Sequence, residues 1–142
     1  MSVARVLPEL KHANVTGPLK EIFFKVYGVL GYGFLESVYG RAMMIECRKA
    51  GLTVVKEVRI RVHCEGVDVG HYDADLIVGD SVIVELKASR ALALEHEAQL
   101  LNYLKATRYE VGFLFNFGPK PQYKRMVYDN SRKGSLTWIK GR

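Results

Sequence analysis

The sequence predicts a single α/β domain in which a mixed central sheet is flanked by helices. Three observations predict it. The chain has 142 residues, about the length of one domain. Apolar residues recur with a helical period at its start and again past its middle. Between and after those segments the pattern changes to strand alternation and short apolar runs. The resulting order of helix, helix, three strands, helix and two strands is that of an α/β domain. No internal repeat or low-complexity linker divides residues 1–142.

In "TGPLKEIFFKVYGVL" Thr16 is the expected N-cap, Pro18 falls in the first turn, and Ile22, Val26 and Leu30 share a face. "GYG" at 31–33 interrupts the helix. "FLESVYGRAMMIECRKAG" then resumes the period through Leu35, Val38, Ala42 and Ile45, with Gly51 as the closing residue. Alternation in "TVVKEVRIRVHCEG" puts Val58, Ile60, Val62 and Cys64 on one face of a strand, opposite Arg59, Arg61 and His63. "VDVGHYDADLIV" and "SVIVELKA" read as the next two strands of a meander. A helix over 94–108 places Ala98, Leu101 and Leu104 on one side and Gln99 and Tyr103, four apart, on another. "VGFLFNFG" reads as a short buried strand and "YKRMVYDN" as an edge strand. The core is expected over about residues 17–128, with a basic tail at 129–142.

An apolar fraction of 49% with 25% charged residues excludes disordered and collagen-like chains. No stretch approaches the roughly 18 apolar residues of a membrane span. The first residues lack a secretory signal's apolar core. A cytoplasmic protein without a membrane partner is therefore expected. Cys47 and Cys64, with no CxxC spacing, argue against a disulfide framework or zinc site. The net charge of +6 suits a polyanionic partner such as nucleic acid.

Charges are concentrated in "YDADLIVGDSVIVELKASR". Asp73 and Asp75 fall on one face of their strand, and Glu85 and Lys87 on one face of the next. A three-residue "GDS" loop pairs Val78 with Val82, setting Asp75 opposite Glu85 and Asp73 opposite Lys87; a two-residue loop separates the charges. A ladder of exposed cross-strand pairs is the plain alternative. Val82, Ile83, Val84 and Leu86 oppose it, because they make the second strand apolar on both faces. Ionised groups there are costly unless paired or bound to a metal. Two carboxylates one strand apart suit a hard divalent cation such as Mg²⁺, and a lysine beside them suits phosphodiester hydrolysis.

Asp75 followed by "ELK" at 85–87 resembles the core of the PD-(D/E)XK nuclease superfamily, with Ala74 where the name has proline. "GFLESVY" at 33–39 resembles the signature of the GxxExxY family within it, and "VELKA", "AQLLNYLKAT" and "GFLFNFG" resemble its later blocks. The resemblance runs from about Leu19 to Tyr128. It implies a restriction-endonuclease-like αβββαβ core and a metal-dependent nuclease using Mg²⁺ or Mn²⁺. It implies Asp75, Glu85 and Glu36 as metal ligands and Lys87 as the catalytic lysine. Gln99 and Tyr103 reproduce a QxxxY motif that orders the site in an exonuclease branch.

Ordinary structural roles compete at several of these positions: Glu36 as a surface residue, Gln99 and Tyr103 as a helix-surface pair, Tyr39 as core and His96 as a helix-start residue. Arg59, Arg61, Lys120, Lys124 and Arg125 are candidates for phosphate contacts, with DNA ahead of RNA as the expected substrate. A non-catalytic nucleic-acid-binding or regulatory module retaining the fold is the alternative. A homodimer or a protein partner stays open.

Overall fold

A computed structural model describes residues 11–134. Residues 135–142 of the expected basic tail lie outside the described residues. The elements are α1 (Ala13–Leu30), α2 (Glu36–Lys49), β1 (Val54–Cys64), β2 (Val67–Val78), β3 (Val82–Lys87), α3 (Leu94–Lys105), β4 (Val111–Phe117) and β5 (Pro121–Val127), followed by a 3₁₀ turn, Asn130–Arg132. Their order and types match the sequence reading. The five strands form one sheet in chain order. All neighbours are antiparallel except β3 and β4, which run parallel because α3 crosses over between them.

The sheet separates two apolar layers. α1 and α2 cover a face built from Val54, Leu76, Val78, Val82, Val84, Leu86, Phe113, Phe115 and Phe117. α3 covers the other, where Leu100, Tyr103 and Leu104 pack on Ile60, Ala74, Ile77, Ile83 and Leu114. Every residue of β4 is buried, as is every residue of β3 except half-buried Lys87. That is the expected condition of a parallel pair covered on both faces. Glu85, 5% exposed, therefore lies in the centre of the molecule.

Three local readings are corrected. α1 starts at Ala13 with His12 as its N-cap, so Thr16 is a buried helical residue and Pro18 is interior. Burial of Val15 and Leu19 in the α1 layer extends the helix past the position that proline would otherwise favour. On α2 the buried face is Tyr39, Met43 and Cys47, while Leu35, Val38 and Ile45 are exposed. Both faces are apolar, so periodicity did not choose; the Tyr39 ring, stacked on Phe117 at 4.0 Å, does. On α3 the core face is Leu100, Tyr103 and Leu104, with Ala98 exposed and Leu101 half-buried. The turn after α2 is as expected: Gly51 has φ of 80°, and the Leu52 N–H donates to the Cys47 carbonyl.

Candidate active site

The loop between β2 and β3 is the three-residue one. Val78 pairs with Val82, and Gly79 and Asp80 both adopt left-handed φ. At Gly79 a Cβ would stand 2.8 Å from a Val15 methyl, so glycine answers both the turn and the approach of α1. From this turn the ladder runs through Ile77–Ile83 to Leu76–Val84 and ends there. One residue further on, side chains replace the backbone pairing. The Asp75 N–H donates to Glu85 Oε2 at 2.9 Å, and the Leu86 N–H donates to Asp75 Oδ2 at 2.7 Å. The two carboxylates are thus interlocked where β2 and β3 part.

The expected pairing of Asp73 with Lys87 does not form. Once the ladder has ended, β2 continues with β1 alone, where Asp73 stands opposite Arg59 and forms an exposed ion pair with it at 3.4 Å. Lys87 stands instead opposite Asn116 of β4. It remains close enough for its charge to act on both Asp75 and Glu85.

Glu36 is the first residue of α2, and its Oε2 accepts from the Ala88 N–H at 3.3 Å, just past Lys87. The sequence between the helices produces that placement. Gly31 and Gly33 take φ of 67° and 110°, turning the chain sharply. Buried Tyr39 pins the turn: its hydroxyl donates to the Gly31 carbonyl at 2.7 Å and accepts from the Phe34 N–H at 3.3 Å. Tyr39→Phe removes both bonds and should cost about 1 kcal/mol of stability. Urea unfolding checks this, and an unchanged midpoint would deny Tyr39 the pinning role.

Glu36 and Asp75 border one open cavity of about 340 Å³, together with Ser37, Arg41, Lys56 and Glu57. Burial raises the Asp75 pKa, and the Glu36 and Glu57 charges add to the rise, opposed by the Leu86 N–H and by Lys87. Glu85 is pushed up to about 8, first by burial and then by the Asp75 charge. On the α3 side, burial and then the same two carboxylates hold the Tyr103 phenol above its usual value. The Tyr103 ring is buried against Tyr72, with centroids 5.4 Å apart, so it belongs to the core and not to a helix-surface pair.

Gln99 is half-buried on α3, and its side chain makes no hydrogen bond among the described residues. His96 accepts from the Ala93 N–H at 3.2 Å and so holds the start of α3. Of the phosphate-contact candidates, Arg59 pairs with Asp73 and Arg61 with Asp68, while Lys124 lies 4.0 Å from Glu97. Arg125 donates to the Lys11 carbonyl, and Lys120 is exposed.

Sequence reasoning missed Glu57, Arg41 and Lys56, whose spacing carries no signal. It also passed over Asn116, the one polar residue in the apolar "VGFLFNFG". Asn116 is fully buried; its amide donates to the Ser89 carbonyl and accepts from the Ser89 N–H, both at 2.9 Å, fastening the turn after Lys87.

Among the described residues, no ammonium, guanidinium or imidazole nitrogen lies within 4.0 Å of a carboxylate oxygen of Glu36, Asp75 or Glu85. Nor do three or more His, Cys, Asp or Glu side chains form a metal-holding group by themselves. The donor set at the acidic pair is two carboxylates, each with one oxygen not engaged by these backbone bonds. Oxygen donors in that number fit Mg²⁺, which retains waters and takes one or two protein carboxylates.

These features define an α/β protein with an acidic pair and a lysine at the point where two central strands part. The chain belongs to the PD-(D/E)XK nuclease superfamily, whose family model matches residues 13–126. No curated protein matches it at a significant level. Among solved structures it is similar to the crystal structure of SSO0001, at 20% identity and a TM-score of 0.48, over 66% of this chain and 50% of that one. The chain thus spans about half the length of that structure. No helix among the described residues is long and apolar enough to cross a membrane.

Proposed function

We propose that the protein is a metal-dependent nuclease of the GxxExxY family, hydrolysing phosphodiester bonds with DNA ahead of RNA as substrate. The observation that carries this reading is a carboxylate pair, buried Glu85 interlocked with half-buried Asp75, with no cation within 4.0 Å and with Asp75 bordering an open cavity. Such a pair is costly without a countercharge. Asp75 and Glu85, with Glu36 at the cavity rim, would hold Mg²⁺ or Mn²⁺. When bound, the ion supplies Lewis acidity to the phosphate and makes water a better nucleophile at neutral pH.

The backbone N–H groups of Asp75 and Leu86 fix one oxygen of each carboxylate and so aim the other. Lys87, on the Glu85 face of β3, orients the attacking water and stabilises charge developing on the phosphoryl oxygens. Tyr103 backs the acidic pair from the α3 core, and Gln99, one turn earlier, is assigned to substrate contact. Gly33 and Tyr39 set the turn from which Glu36 enters.

Purified protein should cleave labelled single-stranded or duplex DNA in Mg²⁺ or Mn²⁺ and not in EDTA, with RNA cut more slowly. Absence of cleavage of every DNA and RNA form with any divalent ion, alongside salt-dependent binding, would replace this reading with a non-catalytic binding module.

A further inference from the structure

We propose that Arg41 and Lys56 form a phosphate-binding subsite for the nucleic-acid backbone, beside the carboxylate pair and on its α2 side. The proposal deepens the nuclease reading and rests on it for the identity of the polyanion. The cavity at Glu36 and Asp75 has three acidic lining residues, counting Glu57, and those charges repel a phosphodiester. Arg41 and Lys56 are its cationic lining residues. Both are exposed, and neither side chain takes part in an ion pair or hydrogen bond among the described residues.

Most other basic groups near cavities differ in this respect. Arg59, Arg61 and Arg108 border a separate cavity of about 390 Å³, and each is already paired with an aspartate. Lys25 and Lys49 share Glu46. Lys105 borders a further cavity and has no ion pair among the described residues, but its ammonium lies over the Tyr128 ring at 5.5 Å and that cavity is lined by no carboxylate. Among the described residues, Arg41 and Lys56 are therefore the cations without an ion pair that border the acidic cavity.

Their placement follows from the two elements that carry them. Glu36, Ser37, Gly40, Arg41 and Met44 recur on one face of α2, all against the cavity. Arg41 stands five residues beyond Glu36, about 7.5 Å along the helix axis. That step is comparable with the separation of successive phosphates on one strand. Lys56 is paired with Leu76, the residue next to Asp75, so it flanks the acidic pair from β1. A strand whose scissile phosphate lies at Asp75 and Glu85 thus meets these cations at a neighbouring phosphate. Contacts of this kind position the backbone and do not read sequence.

The test is fluorescence anisotropy of a fluorescein-labelled DNA oligonucleotide, single-stranded and duplex, in Ca²⁺ over a salt series. Wild type is compared with Arg41→Gln, Lys56→Gln and the control Lys49→Gln, which removes the same charge from α2 outside the cavity. Arg41→Gln and Lys56→Gln should each weaken binding about five- to tenfold near 0.1 M salt and reduce the salt slope by about 0.7–0.9. Lys49→Gln should stay within about twofold, since its lysine makes no phosphate contact. Melting temperatures should stay at the wild-type value, because both side chains are exposed. If the two variants bind like Lys49→Gln while wild type cleaves DNA, the subsite is wrong and the nuclease reading stands. If they lose affinity and slope as expected but wild type cleaves nothing, the subsite stands and the nuclease reading falls. Failure of wild type to bind either oligonucleotide overturns both.

Discussion

Lys87→Ala should lower phosphodiester cleavage by about 10²-fold or more while leaving divalent-metal binding within a few-fold of wild type. The separation follows from position. Asp75 and Glu85 present carboxylate oxygens where β2 and β3 part, whereas Lys87 ends β3 opposite Asn116 and acts on them through its charge. On the proposed mechanism, losing the lysine removes a donor to the nucleophile and to the phosphate but no oxygen ligand. Asp75→Asn should instead weaken both activities. Titration calorimetry with Mn²⁺ beside a gel assay reads the two quantities. Equal loss of metal binding in Lys87→Ala would mean that the lysine holds the acidic pair together instead of serving the chemistry.

A second large effect concerns stability without metal. Glu85 has a folded-state pKa of about 8 against an ordinary 4.5, raised by burial and by Asp75. Between those values the native state holds a proton that the unfolded chain has released. Stability from this group is therefore complete below pH 4.5 and is lost as pH rises to 8. Each pKa unit corresponds to about 1.4 kcal/mol, which puts the total on the order of 3 kcal/mol once sharing of charge with Asp75 is allowed for. Glu85→Gln keeps the shape and removes the titration. In EDTA its stability relative to wild type should increase from pH 5 to pH 9, as measured by urea unfolding. A difference independent of pH would show that Glu85 is not a buried, proton-holding acid.

Much of the site was legible because a strand turns sequence into geometry with few free choices. Alternation fixes the face of each side chain, and the odd-length "GDS" loop fixes register, so Asp75 and Glu85 had to meet if Val78 faced Val82. The same count failed two residues later. Extrapolating it to Asp73 and Lys87 assumed that β2 and β3 stay paired, but β2 departs with β1 and β3 turns to β4. Where a ladder ends is decided by the neighbouring strands, and no spacing within one hairpin records it. Glu36, which lines the cavity, became a candidate through the resemblance carried by "GFLESVY", because a lone glutamate at a helix start has no distinguishing local signal. Arg41, Lys56 and Glu57 were not found, since a cavity between α2 and the sheet exists only after the layers have packed.

The sequence by itself determined the order and type of every α-helix and strand, the parity of the charged strands and the central place of β3. These depend on local periodicity and on the cost of exposing an apolar run. Only the tertiary structure decided which face of α2 and α3 is buried, because two apolar stripes compete on α2, and on α3 the core accepts the amphipathic ring of Tyr103. It also decided that the Asp75 and Glu85 carboxylates accept backbone hydrogen bonds across the gap between their strands. That exchange requires the ladder to stop at Leu76 and Val84, which follows from the divergence of a long β1–β2 hairpin from a short central strand held by β4.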